Sequence, residues 1–543
     1  MPDYPVSFLY VLPIIVAMIV AVGVVEYYNR RVKTVESFYV ADRGANTLLL
    51  TGAYVASWAS CTGMVGMSGS AYRFGIAWNM WTWGFWGVVL FTFAIAIPLR
   101  KMCTMGDVLA PSRYASGAAA KQLLTVSDFF ELRFPSKFVR GLTAVMQICG
   151  MTFYAVGQLI AICLALTCIG LSYQAGLVIM TILIMYTTIR GGTPGILVND
   201  CINMFTFVFA VIVMVPYALH AVGGIDNMIA VSEAAQPGIW GNMGVGKSLV
   251  AIVAYNLVWN SMTAGSPHLV QRAYTAKSLR TFMKAQVIGV TIVIMWCWAL
   301  YTGTQTGLIF FPGIVSNESD KILMMVSQHT MPVFLAGVVI ASIFAVGFST
   351  VNAQISNLAF AWTRDIHESF LVKDKSTWTE ARMLKVTKVA IAIISLIVAF
   401  FTWTRPGFIY EITAWGIAFY GSTFVPMFIF GLYWKRCTTQ GVMAGAIISS
   451  LTFITLGILG MFKMSPVPAD AHPFIVSLPV SVIIMVVVSL LTKQSPAEEE
   501  VAGNMHKVLK MKNDEPTTTS DYMAPIIVII ICVVFGVIWS SIF

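Results

Sequence analysis

The sequence predicts an all-α polytopic membrane protein, and three observations carry that prediction. Of 543 residues, 58% are hydrophobic and only 10% are charged, with a mean hydropathy of +0.81. Soluble globular chains carry about 25% charged residues. Apolar runs recur from end to end, each near or above the roughly 20 residues that one bilayer crossing needs. The basic residues gather on one side of the loops between those runs.

In chain order, the runs fall near 8–27, 47–72, 78–99, 141–169, 172–189, 196–222, 248–266, 285–311, 331–362, 383–404, 407–433, 439–462, 472–492 and 523–543. They predict about 14 transmembrane helices. The first run, Phe8 to Val25, is followed by no small-residue cleavage site, so it reads as a retained helix rather than a signal peptide. With the N- and C-termini outside, all 33 basic residues except Arg73, Lys247, Lys321, Arg405 and Lys463 fall in cytoplasmic loops. A miscounted helix would invert every later loop and erase this asymmetry. The net charge of +9 is thus explained by topology and gives no reason to expect nucleic acid. The lipid bilayer is the expected surrounding, and the plasma (inner) membrane the expected location. The nine cysteines show no CxxC spacing and suggest neither a disulfide framework nor a metal cluster. Residues 493–522 form the one long polar stretch and read as a solvated cytoplasmic linker, with a short surface helix around Val501–Lys512.

One motif misleads. Gly241 to Ser248 matches the phosphate-loop pattern GxxxxGKS, but that chemistry needs a preceding strand and a following soluble helix. Here the match lies in an outside loop and opens a membrane helix, so no ATP is expected. The six histidines are scattered, no HExxH or nucleophile elbow occurs, and neither an enzyme nor an organic cofactor is expected.

The informative stretch is Val333–Trp362. It carries Ser349 and Thr350 side by side, after the small residues Ala345 and Gly347. Two hydroxyls and a nearby backbone carbonyl are what a bare, hard cation requires in place of water. The competing reading has both hydroxyls bonding back to carbonyls four residues earlier. The second run is crowded with small residues (Ala56, Ser57, Ala59, Ser60, Gly63, Gly66, Gly69), which suit tight packing and also mark a discontinuous helix. A second candidate break lies at Asn260 to His268. Asp200 and Glu411 are the intramembrane carboxylates, interfacial if shallow and functional if deep.

Four motifs then resemble the solute:sodium symporter family, which includes sodium/glucose, sodium/proline and sodium/sialic-acid transporters. They are Tyr39-Val-Ala-Asp-Arg43; Tyr186 to Gly191-Gly192 with Asp200 beyond; Pro267-His-Leu-Val-Gln-Arg272 followed by Ala276-Lys277-Ser278; and Tyr433-Trp-Lys-Arg436 with Gly441, Ala444 and Gly445. The resemblance implies a leucine-transporter-type core of 5+5 inverted repeats. Its division would be 1–46 (extra helix and loop), 47–222 (first repeat), 223–433 (second repeat), 434–492 (two peripheral helices), 493–522 (linker) and 523–543 (last helix). It further implies a sodium site with carbonyls from Ala56, Ala59 and Val346 and hydroxyls from Ser349 and Thr350, with Asp200 on the ion's exit path. Trp58 stands where proline carriers have an essential Asp, which argues against proline. Ser60, Tyr154, Gln158, Ser266 and His268 are the candidate solute-binding residues, with Gln147 and Asn260 as further polar candidates. The implied function is sodium-coupled import of a small organic solute by alternating access. The alternatives are a proton-coupled carrier of the same fold and a transporter-like solute sensor.

Overall fold

The computed structural model describes residues 8–511 apart from 84, 118–119, 242, 315–317 and 406, together with Met523 and Ile530. The expected last helix, 523–543, otherwise lies outside the described residues. The helices that frame the site are α1 (Phe8–Asn29), α2 (Thr47–Cys61), α3 (Met67–Phe74), α4 (Ile76–Met102), α5 (Val126–Arg133), α6 (Lys137–Thr167), α7 (Tyr173–Ala221), α8 (Leu249–Gly265) and α9 (Pro267–Thr275). They continue with α10 (Leu279–Gln305), α11 (Val333–Phe360), α12 (Glu380–Thr402), α13 (Ile409–Tyr433), α14 (Thr439–Met461), α15 (Phe474–Leu491) and α16 (Pro496–Lys510). Helices satisfy every backbone N–H and C=O within one segment, which hydrocarbon demands.

Eleven helical stretches among the described residues are long and apolar enough to cross a membrane. One of these, α7, has 49 residues and kinks at Gly192. At about 1.5 Å per residue it reaches about 74 Å, more than twice the roughly 30 Å of a hydrocarbon core, so it is long enough for two crossings.

Burial ranks the helices from centre to rim. The run Thr47–Phe74 is 89% buried across its most apolar window, whereas α1 is 22% and α12 and α15 are each 28% buried. The least apolar span (mean hydropathy 1.3) is therefore innermost, and the greasiest helices (α1 and α15, 2.8) turn their side chains outward. That order inverts the pattern of a water-soluble fold and is what a bilayer as solvent requires.

Two glycines set how deeply the central helices nest. A Cβ on Gly52 of α2 would lie 2.5 Å from the Cα of Cys201 on α7, and one on Gly347 of α11 would lie 2.4 Å from the Sγ of Cys61. Gly52→Ala is expected to cost about 1–3 kcal/mol, the usual range for overpacking. Thermal unfolding of the purified variant checks this, and an unchanged melting temperature would refute the close α2–α7 approach.

Arg364 just beyond α11 and Arg140 of α6 both reach Asp128 of α5. Arg140 also pairs with Asp365 at 2.9 Å. Burial alone would raise the Asp128 carboxyl, but the two guanidiniums and the Leu124 and Thr125 amides hold it below the usual carboxylate range.

One sequence reading changes here. The 493–522 stretch is not simply a solvated linker, because α16 buries Val501, Ala502, Met505 and Val508 against the bundle. Its Ser495–Glu498 capping box starts the helix, and Glu498 Oε1 also accepts from the amide and hydroxyl of Thr439 at the start of α14. The phosphate-loop match serves packing: the Ser248 hydroxyl caps α8, its amide donates to Asp470, and Lys247 lies 4.2 Å from the centre of the Phe74 ring.

Candidate functional site

The run that begins as α2 does not continue unbroken into α3. Ser60 has φ 39° and ψ 164°, a conformation that non-glycine residues rarely adopt and that costs about 1–3 kcal/mol. A π-helical turn, Thr62–Gly66, follows before α3 resumes. Gln158 of α6 bridges the break: its Oε1 accepts from the Cys61 amide at 2.6 Å, and its Nε2 donates to the Thr62 hydroxyl at 2.5 Å. The Ser60 hydroxyl accepts from the Gly63 amide at 3.2 Å. A second break separates α8 from α9 at Ser266, whose backbone is extended before Pro267. The Ser266 hydroxyl pairs with that of Tyr420 at 2.6 Å. Both expected discontinuities are present, one in α2–α3 and one in α8–α9.

Helix α11 lies against α2 just N-terminal to the first break, within the register that Gly347 permits. Ala56, Ala59, Val346, Ser349 and Thr350 are all buried there. The Thr350 hydroxyl reaches the Val346 carbonyl of its own helix at 2.9 Å and the Ala56 carbonyl of α2 at 3.3 Å. The hydroxyl thus bonds back along its own helix, as the competing reading expects, and is also within reach of a carbonyl on the neighbouring helix. The Ser349 hydroxyl instead donates to Asp200 Oδ1 on α7. Having donated its proton, that oxygen keeps both lone pairs for another electrophile.

Asp200 is fully buried within the helix bundle rather than exposed on its surface. Its second oxygen forms an ion pair at 2.8 Å with Arg272 of α9, whose Nε donates to the Ser57 hydroxyl of α2 at 3.0 Å. Four helices, α2, α7, α9 and α11, thus meet at one charge pair beside the hydroxyls. Glu411, by contrast, is exposed at the start of α13. The sequence reading did not assign Arg272 a role. The available signal was that a membrane-buried guanidinium requires an anion, and Asp200 is a deeply buried one.

The proposed solute residues surround the two breaks. The Tyr154 hydroxyl faces Ser60 and lies 3.8 Å from Met262 Sδ. The His268 ring is 6.0 Å from that of Tyr154, and neither of its nitrogens has a hydrogen-bond partner among the described residues. Gln147 and Asn260 act between helices: Gln147 donates to the Asn357 carbonyl, and Asn260 accepts from the Gly87 amide.

Above this cluster Trp58, Trp83 and Trp259 line a cavity between α2, α4, α8 and α10. A second, polar cavity lies between α7, α9 and α11. His268, Gln271, Arg272, Ser356 and Asn357 are among its walls.

The pattern of the sodium:solute symporter family matches residues 38–449. The chain is 26% identical to the osmoregulated proline transporter OpuE of Bacillus subtilis over 415 residues, covering 75% of this chain and 82% of the relative. It is 20% identical to the sodium/pantothenate symporter of Escherichia coli over 489 residues, covering 88% and 95%. Among solved structures it superposes on a Na+-coupled sialic acid symporter with a TM-score of 0.72 at 15% identity, covering 90% of this chain and 99% of the other, which shows the fold. With the family pattern spanning most of the chain and a helix broken at Ser60 packed against the buried hydroxyls of α11, this protein belongs to the sodium:solute symporter family and couples transport of a small solute to sodium.

Proposed function

We propose that sodium binds between α2 and α11, held by the carbonyls of Ala56, Ala59 and Val346 and the hydroxyls of Ser349 and Thr350, with Asp200 on its path to the cytoplasm. The observation that carries this reading is the Thr350 hydroxyl, within reach of both the Val346 and Ala56 carbonyls across two helices. Residues 47–222 and 223–433 form two inverted repeats that rock about the site. The segments 1–46, 434–492, 493–522 and 523–543 flank them, giving fourteen crossings of the plasma (inner) membrane with both termini outside. The solute sits near Ser60, Tyr154, Ser266 and His268. Gln158, with both ends of its amide engaged by the broken helix, supports their backbone. Although one relative is named for proline, Trp58, standing where proline carriers have an essential Asp, speaks against proline here.

Entry of one sodium charge down 100 mV is worth about 2.3 kcal/mol. That alone sustains roughly fiftyfold accumulation of a neutral solute, since about 1.4 kcal/mol is tenfold. The test is thermal stability of the purified protein in sodium against potassium at matched ionic strength. A sodium-specific rise in melting temperature is expected, growing with sodium concentration as binding to the folded state requires. Equal stability in both salts would sink the site.

A further inference from the structure

A groove between α7 and the first half of α12 combines positive charge with apolar walls. It encloses about 660 Å³, within the roughly 300–1,000 Å³ of ligand sites. Ile189 of α7 forms one wall, and Leu384, Lys385, Lys388, Val389 and Ala392 of α12 form the other. On α12 the lining residues 381, 385, 388 and 392 follow one another at helical spacing, so they make a single stripe along the helix. Thr387, off this stripe, is buried, and its hydroxyl lies 2.9 Å from that of Tyr39, which fixes the side of α12 that faces inward. Ala381 and Lys385 are exposed, Val389 is 53% exposed, and Ile393, Leu396 and Phe400 beyond it are exposed as well. The groove therefore opens sideways, to the surroundings of the bundle.

The two ammoniums in the groove lack an acid. Neither Lys385 nor Lys388 makes an ion pair or hydrogen bond among the described residues, and α12 carries no acidic residue after Glu380. Across the groove, Arg190 beside Ile189 already engages both oxygens of Glu26 on α1. Like charges one turn apart repel each other, so an anion from outside the chain would settle them. Depth makes the same demand. Residues 389–402 complete α12 without a charge, and these 14 residues reach about 21 Å, against the roughly 30 Å of a hydrocarbon core. A crossing by α12 thus brings Lys385 and Lys388 to the edge of the hydrocarbon or inside it, and tilt only draws them deeper. Lysines at that level lay their stems along apolar surface and reach for anions at the headgroups.

We propose that this groove binds an anionic phospholipid, with its phosphate against Lys385 and Lys388 and an acyl chain along Ile189, Val389 and Ala392. A free phosphate would leave the apolar walls uncovered, and a peptide would carry unpaired backbone groups to the lipid boundary. A lipid with a net negative head meets both demands at once, and basic pockets between membrane helices are where such heads bind. The site adjoins the kink of α7, since Gly192 follows Ile189 by three residues. A bound lipid therefore braces α12 against α7 where that long helix turns.

The test titrates the purified full chain, in an uncharged detergent, with phosphatidylglycerol, phosphatidylcholine of the same acyl length and glycerol 3-phosphate. Melting temperature and the lipid retained in native mass spectra are read. Phosphatidylglycerol is expected to bind about thirtyfold tighter than phosphatidylcholine, since each lysine near an anionic head is worth about a fivefold gain. Glycerol 3-phosphate should leave the melting temperature unchanged. Lys385→Gln combined with Lys388→Gln should bring the lipid preference close to unity. Ala392→Trp, which fills the groove and alters no charge, should weaken phosphatidylglycerol binding as well. Lys507→Gln combined with Lys510→Gln, on the exposed side of α16, should keep the wild-type preference. Equal binding of the two lipids overturns the site, and so does an equal loss from the α16 pair, which would reveal only a general attraction to basic residues. Glycerol 3-phosphate binding as tightly as the lipid would make the groove a free-anion site instead. A changed oligomeric state in the Lys385/Lys388 variant, with the lipid preference intact, would make it an interface between copies of the chain.

Discussion

Thr350→Ala is expected to lower sodium affinity by about ten- to a hundredfold, the loss that follows when one hydrogen-bonding-class ligand worth about 1.5–3 kcal/mol to a charged group is removed. The Thr350 hydroxyl is the atom that touches both helices of the proposed site, at 2.9 Å from the Val346 carbonyl and 3.3 Å from that of Ala56. The fold should tolerate the change, because Val346 keeps its backbone helical bond and alanine is the best helix former. Ser349→Ala should weaken sodium as well, and it also strips Asp200 of a hydrogen-bond donor. Sodium titrations of solute binding and of uptake into proteoliposomes read both effects. If the two variants keep the wild-type sodium dependence, the ion lies elsewhere.

The largest loss of stability is expected at Arg272. Replacing it with alanine leaves Asp200, which is fully buried, without a counter-charge, and breaking one side of a buried pair costs about 3–5 kcal/mol. Asp200→Asn strands the guanidinium in the same way. Removing both charges together, as Arg272→Met with Asp200→Leu, is expected to recover most of that loss, because a buried pair often stabilises no more than apolar residues of similar volume. The double variant should nonetheless bind sodium less well, since Ser349 then has no carboxylate to take its proton. Thermal unfolding of the two single variants and the double variant gives the coupling directly. Two single changes that each cost under about 1 kcal/mol and simply add would show that the pair is not a working contact.

Much of this was legible in the chain itself. Hydrophobic runs and the one-sided basic residues disclose a polytopic bundle because lipid tolerates few charges and no unpaired backbone. The small residues around Ser60 and the Asn260–Pro267 stretch disclose two breaks, since glycine and proline act where they stand. What stayed hidden were groups defined by a partner far away in sequence. That the Gln158 amide bridges Cys61 and Thr62 across the break is one such contact. The linker read as solvated because an amphipathic helix without its docking surface looks like any surface helix.

The sequence by itself therefore determined the solvent of this protein, its helical class, the family and the positions at which helices break, because those follow from composition and local stereochemistry. Only the tertiary structure decided that Asp200 is buried against Arg272 rather than exposed, and that three tryptophans from three different helices wall one cavity. The reason is physical: charge pairing and enclosure depend on which atoms come within a few ångströms, and chain order does not encode that distance.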